Sequence, residues 1–279
     1  MIRSVPCILL FSFFLAQENV GYQFISNFKN KDVYAIDLIN DFSQGGYTYT
    51  GTFSGRQITE FIGIDHQGEY KFLQMWSDVV STNIRNDETK VNHDAQKMNG
   101  AQFYVYYDSS GTFDTIEGVD DLSREMAEEQ QSWSIITGLG NSLVLPFGSD
   151  SLRNIGDTWS VKSKENFEEY PGMDDVEAEQ ISIDTYKFKK VKQKKKGLIA
   201  YLDIETKIEI DMFANTWDES WELNLIGQFN ATIQYNLTTH EVIRIKNSGI
   251  IRGDGIDLTD DERFTFQQNI SIDTRRKKG

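Results

Sequence analysis

The stretch that decides the fold is residues 217–235, with the sequence WDESWELNLIGQFNATIQY. Its odd positions are almost all apolar and its even positions almost all polar, the exceptions being Glu219 and Ile226. In a β-strand alternate side chains share a face, whereas a helix would scatter these residues around its circumference. The pattern therefore predicts a long strand with one dry face and one wet face.

The same period of two recurs along the chain. It runs through residues 202–212 and 263–272, and shorter versions occur at 103–107 and at Ile181 and Ile183. One-sided strands of this kind are typical of antiparallel sheets that have one solvated face.

The length of the deciding strand predicts curvature. At roughly 3.3 Å per residue it would span about 60 Å, which is too long to lie flat in one domain. We expect it to curl at Gly227, where the missing side chain permits a bend or a bulge. The predicted fold class is mainly β: a long curved antiparallel sheet, as a half-barrel or a wrapped sheet, around an apolar interior.

The first sixteen residues, MIRSVPCILLFSFFLA, read as a secretory signal peptide. Arg3 supplies the positive start, a short apolar core follows, and cleavage is expected near Ala16. An uncleaved anchor or a buried N-terminal strand is the alternative. No later segment has the 18 or so continuous apolar residues of a membrane helix, so none is predicted after cleavage. The expected location is periplasmic or extracellular.

The remaining chain, 17–279, is predicted to be a single β-rich domain with two weakly similar β-units, at 30–119 and 147–273. Short strand–turn patterns recur in both units, although chance similarity would give the same impression. Between them, residues 120–140 are predicted to form a helix that lies across or beside the sheet.

The ends of these segments carry two further predictions. Asp120 or Asp121 can cap the helix, because a carboxylate accepts hydrogen bonds from the first N–H groups. Residues 274–279 are basic and are predicted to be a frayed tail.

Charge and motifs exclude several functions. With 28 Lys and Arg against 43 Asp and Glu, the net charge of −15 argues against a nucleic-acid partner. The lone Cys excludes a disulfide framework and a thiolate zinc site. The chain has no GxSxG, Walker A or GxGxxG motif, and its three His form no close pair. We therefore predict no cofactor and no enzymatic activity, and a hydrolase using two carboxylates ranks last because no acidic pair stands out.

The dry face of the deciding strand is the candidate site for a lipid or another hydrophobic ligand. The alternative is that the same side chains fill a core and leave no room for a ligand, in which case the protein is an envelope or surface scaffold with an unknown protein partner. The candidate lining residues are Trp217, Trp221, Leu223, Leu225, Phe229 and Ile233.

Two charged segments invite other interpretations. An acidic loop offers several oxygen ligands for calcium, although it lacks the full EF-hand pattern and a solvated loop is the default. The lysine-rich run at 187–196 is predicted to be an exposed hairpin tip before Gly197, where its charges oppose edge-to-edge aggregation; contact with anionic lipid or polysaccharide is the alternative. The candidate calcium ligands are Asp254, Asp257, Asp260 and Asp261.

The layout resembles an uncharacterised family of secreted bacterial proteins, known as a domain of unknown function. The resemblance is carried by the signal peptide, the helix that leads to residues 143–146, the IGDTW pattern at 155–159 and the closing β meander. More distantly, the architecture is similar to the half-barrel lipid carriers of the periplasm. The resemblance implies a secreted β-protein and supplies no catalytic residues.

Overall fold

The structure is a computed structural model, and it describes residues 21–24, 31–44, 46–86, 88–107, 113–121, 123–124, 152–167, 175–215 and 220–277. The predicted signal peptide, most of the predicted helix and Trp217 lie outside the described residues.

Twelve strands make up nearly all of the described chain, with one short helix, α1 (His93–Gln96), after β4. Residues 32–118 contain β1 (Asp32–Gln44), β2 (Tyr47–Ile64), β3 (Tyr70–Arg85), β4 (Glu88–Val91), β5 (Gln102–Tyr107) and β6 (Phe113–Gly118). Residues 158–276 contain β7 (Thr158–Phe167), β8 (Asp175–Lys194), β9 (Gly197–Asn215), β10 (Ser220–Asn236), β11 (Glu241–Asp257) and β12 (Glu262–Arg276).

All these strands belong to one antiparallel sheet in the order β6-β5-β3-β2-β1-β12-β11-β10-β9-β8-β7, with β4 paired to β3. The strands β1–β6 and β7–β12 join where β1 pairs with β12, for example at Leu38 opposite Ile272. Within the described residues β6 and β7, which follow each other in the chain, lie at opposite edges and the sheet is open. The predicted fold class, a mainly β protein with one long antiparallel sheet, is confirmed.

The deciding strand has the predicted faces. Trp221, Leu225 and Phe229 lie on one side of β10, and their partners on β9 are Ala214, Ile210 and Thr206. The intervening residues Glu222, Asn224 and Gln228 are exposed on the other side.

The sheet curls towards this apolar side. The ring of Phe24 lies 6.1 Å from Trp159 on β7, 5.1 Å from Phe188 on β8 and 5.4 Å from Tyr235 on β10. In a flat sheet β7 and β10 would be about 14 Å apart, at roughly 4.8 Å per strand. One ring reaches both because the strands wrap around it. We call the apolar side the concave face and the other side the convex face.

Two buried clusters form the core, and both lie on the concave face. The larger contains residues from β1, β3, β5, β6 and β10–β12, including Leu38, Trp76 and Phe229. The smaller gathers Phe24 with residues of β7–β11, including Phe188 and Ile233.

Two sequence predictions, on β10 and β8, need correction or completion. The register of β10 runs unbroken through Gly227, and the irregularity instead falls between Gln234 and Tyr235, so of the bend or bulge predicted at Gly227 the bulge is wrong. The glycine accommodates its neighbours, since a Cβ there would lie 3.2 Å from the Cβ of Ile208.

The lysine-rich run does end in a hairpin, in which Lys194 pairs with Gly197.

The chain ends of the two units also differ in part from expectation. Strand β12 continues to Arg276, where it pairs with Tyr34, so the predicted frayed tail from residue 274 is wrong up to that point. Arg276 forms ion pairs with Asp32 and Glu241, which are 244 and 35 residues away in the sequence. The residues next to Arg276 in the sequence could not reveal these partners. At the described start of the segment predicted to be helical, the Ser123 N–H donates to Asp120 Oδ1 at 2.8 Å, which is the hydrogen bond expected of a capping residue.

Candidate functional site

The predicted lining residues fall into two groups along β10. Ile233 is fully buried and Phe229 is 3% exposed, so both are packed into the core. Leu223 and Leu225 are also buried but lie at the margin of the larger cluster, and Trp221 is half-buried.

Around Leu223 and Leu225, the concave face is apolar and partly open to solvent. The register places Met212 and Ile210 beside these leucines on β9, with Phe264 and Phe266 two strands away on β12. These neighbours pack against the core but remain half-buried. We call this region the open apolar patch, and it comprises Ile208, Ile210, Met212, Trp221, Leu223, Leu225, Phe264 and Phe266.

The opposite end of the concave face is closed by aromatic packing. Trp159 and Tyr186 stack at 5.3 Å with nearly parallel rings, and Phe24 packs against Trp159. The segment that carries Phe24 is anchored by a β-bridge in which the backbones of Tyr22 and Arg153 exchange hydrogen bonds of 2.7 and 2.8 Å.

An ionic group closes the same end beside β1. The Arg276 guanidinium donates to the carboxylates of Asp32 and Glu241, and all three side chains are largely buried. Buried ions of this type are stable when paired and costly when left single. The concave face is therefore shut at one end and open at the other.

The structure reveals a polar strip on the concave face that the sequence pattern did not predict. Ile181 and Ile183 were expected on the dry side of β8, but Ile183 is 39% exposed, whereas Gln180 and Ser182 are each 7% exposed. The register explains the inversion, since Tyr186 and Phe188 are locked into the core and fix the even residues of β8 on the concave face. The sequence did contain a signal of this inversion. If Tyr186 faces the core, every second residue before it, namely Asp184, Ser182 and Gln180, lies on the same face.

The polar strip comprises Ser163, Gln180, Ser182, Asp184 and Thr206. The hydroxyls of Ser163 and Ser182 lie 2.6 Å apart, and Thr206 donates to Asp184 Oδ1 at 2.5 Å. Ser182 is directly opposite Ile208 on β9, and Gln180 is directly opposite Ile210. The polar strip thus runs along the edge of the open apolar patch.

Asp184 is a half-buried carboxyl without a basic partner among the described residues. Burial raises the pKa of its carboxyl above the usual value, and the hydrogen bond from Thr206 offsets part of that rise. The register places every described lysine of β7–β9 on the convex face, where for example Lys164 pairs with Glu179 at 2.7 Å and Lys189 with Asp203 at 3.0 Å. Within the described residues Asp184 forms no ion pair.

The acidic loop forms the hairpin turn between β11 and β12. Asp257 Oδ1 accepts the N–H of Thr259 at 2.8 Å, and Asp260 Oδ1 accepts that of Glu262 at 3.0 Å. Asp254 is exposed on β11, and Asp261 has a left-handed backbone with φ of 60°. Across the described part of the chain, no three His, Cys, Asp or Glu side chains are grouped in a way that could hold a metal ion.

The convex face carries a shallow groove of about 680 Å³ across β10, β11, β12 and β1. Its side chains are mostly short and polar, with Ile39 and Ile250 among them. A second depression of about 490 Å³ shares Asp41 and Asn269 with it and continues towards β2 and β3.

Among the described residues, none of the helical segments has both the length and the hydrophobicity needed to span a lipid bilayer.

No protein-family model matches the chain. No curated protein matches it either. Among solved structures, the chain is similar to the beta domain of the Bordetella autotransporter Brka, with 10% identity over 88% of this chain and 99% of that chain, and the TM-score of this match is 0.23.

Proposed function

We propose that this is an exported, non-enzymatic binding protein that takes a hydrophobic ligand, such as a lipid, on the concave face. The observation that carries the proposal is the open apolar patch, a run of half-buried apolar side chains at one end of a face whose other end is closed. The leader predicted at residues 1–16 supports export.

The open apolar patch presents apolar side chains from strands on both sides of β11. This apolar surface suits an apolar ligand. On the concave side β11 contributes Gly253 and Gly255 opposite Leu225 and Leu223. Apolar area removed from water contributes roughly 25 cal/mol per Å², so a ligand that covers the half-buried Ile210, Met212 and Phe266 would gain from surface that water now reaches.

Two isoleucines on neighbouring strands, one on each face of the sheet, give a matched test. Ile210→Gln places an amide in the open apolar patch, and Ile226→Gln places the same amide at a convex position that is 66% exposed. With the fluorescent probe N-phenylnaphthylamine, we expect Ile210→Gln to weaken binding about fivefold or more and Ile226→Gln to leave it unchanged. Equal affinities for both variants and the wild type would exclude the patch as the site.

A second candidate is an envelope or surface scaffold whose partner lies on the convex face. The shallow groove and the exposed side chains of Ile39 and Ile226 favour it. Native mass spectrometry after mild purification separates the two candidates, because a co-purifying lipid supports the binding protein and a ligand-free protein favours the scaffold.

The likeness to secreted bacterial proteins of unknown function, and to half-barrel lipid carriers, is in keeping with the first candidate. A carboxylate hydrolase ranks last, because neither the sequence nor the geometry of the described residues singles out an acidic pair.

A further inference from the structure

We infer that the ligand of the concave face is a cationic amphiphile, with its amine head at Asp184 and its apolar body on the open apolar patch. This inference rests on the proposed function and names the class of ligand. It starts from the polar strip, which lies where the sequence pattern of β8 would place apolar side chains.

The inversion of β8 puts polar groups on the concave face, next to the open apolar patch. Gln180 and Ser182 are each 7% exposed, and Asp184 is half-buried. The hydroxyl of Ser182 is hydrogen-bonded to that of Ser163, and Asp184 accepts a hydrogen bond from Thr206, so both residues keep acceptor positions that these contacts do not use. A bound polar head beside β8 would reach those positions.

Asp184 sets the charge of that head. An ionised carboxylate offers about four acceptor positions, and Thr206 fills one of them. An alkylammonium group brings three N–H donors and the opposite charge, which makes it the complement of the remaining positions. Ser182, two residues away on the same face, is a further acceptor for the same group.

The surrounding charges argue against an anionic head. Every described Lys on β7–β10 lies on the convex face by register, and β10 has no Lys or Arg. A fatty-acid carboxylate at the polar strip would therefore meet Asp184 without a nearby described cation on that face. The net charge of −15 also favours the approach of cations over anions.

The register sets the orientation of the ligand. Ser182 is opposite Ile208 and Gln180 is opposite Ile210, so a head beside Asp184 has the open apolar patch directly along β9. The closed end, with Phe24 and Tyr186, lies beyond Asp184 in the other direction. The apolar body therefore extends from Asp184 towards Met212.

A set of three amphiphiles with the same alkyl chain tests this inference: dodecylammonium, dodecanol and dodecanoate. Each is titrated by isothermal calorimetry, with the two ionic amphiphiles below their critical micelle concentrations and dodecanol below its solubility limit. We expect dodecylammonium to bind about tenfold or more tightly than dodecanol, and dodecanoate to bind most weakly. Asp184→Asn should abolish the preference for the amine and leave dodecanol unchanged. The matched control is Asp203→Asn, which removes a convex-face carboxylate and should keep the preference.

The outcomes separate the two proposals. If all three amphiphiles bind equally, or if Asp184→Asn keeps the amine preference, the inference is wrong and the proposed function stands. If the folded wild-type protein binds none of them, both are wrong. Folding of Asp184→Asn is checked by its melting temperature, which should be no lower than that of the wild type at neutral pH, because burial disfavours the charged carboxylate.

Discussion

Phe229 on β10 packs over the backbone of Gly249, its direct partner on β11. A Cβ at Gly249 would lie 2.3 Å from Phe229 Cδ1 and 2.4 Å from the carbonyl oxygen of Gln228. Real Cβ atoms do not tolerate such contacts, so the glycine is what allows the aromatic ring to lie in the core.

Gly249→Ala should therefore destabilise the protein by about 1–3 kcal/mol, through displacement of the Phe229 ring. Urea unfolding followed by tryptophan fluorescence measures the loss. The neighbouring Ser248→Ala, at an exposed convex position, is the control and should change stability by less than about 0.5 kcal/mol. Equal stabilities of the two variants would contradict the assigned packing.

Phe24 should contribute more to stability than any other residue of its short segment, because its ring contacts Trp159, Phe188 and Tyr235. We expect Phe24→Ala to cost about 3–5 kcal/mol. Gln23→Ala, at the exposed neighbouring position, should be nearly neutral. A Phe24→Ala protein as stable as the wild type would mean that this segment does not close the concave face.

Arg276→Met should unfold more readily than the wild type, because it leaves the carboxylates of Asp32 and Glu241 without their cation. The expected loss is about 3 kcal/mol at neutral pH. Lys277→Met, one residue further and exposed, is the control. If both variants unfold at the same urea concentration, Arg276 at the end of β12 does not form the ion pairs described here.

The hydrogen bonds of Asp273 lead us to predict that the protein loses folding stability in acid. Hydrogen bonds from Arg244, at 2.9 and 2.5 Å, hold the pKa of the Asp273 carboxyl well below its usual value, with a smaller contribution from Arg275. A depressed pKa stabilises the fold above the unfolded-state pKa, which is about 3.9, and this stability is lost as the pH falls towards the folded-state pKa. Urea unfolding from pH 5 to pH 2 should therefore show a smaller decline for Asp273→Asn than for the wild type. Parallel declines would exclude this role.

Much of the fold is predictable because it depends on local pattern. The alternation around Leu225 and Phe229 identifies a strand and its buried face, since the period of two is set by backbone geometry alone. The pairing of β1 with β12 is different, because it joins Arg276 to Asp32 across 244 residues. Nothing near either residue in the sequence indicates the other.

The site was only partly predictable for a related reason. The sequence correctly grouped Trp221, Leu223 and Leu225 on one face, but it placed Ile181 and Ile183 on the dry side of β8. Local hydrophobicity favours that phase, whereas the core packing of Tyr186 and Phe188 imposes the other. Tertiary packing prevails, and the polar strip results.

The central claim is that a hydrophobic ligand lies on the open apolar patch. The most direct measurement is nuclear Overhauser contact between a bound dodecyl chain and the methyl group of Met212, in protein labelled at its methionine and isoleucine methyls and its tryptophan indoles. We predict contacts from the alkyl protons to Met212 and to the Trp221 indole. Contacts confined to Ile39 and Ile250 on the convex face would contradict the claim.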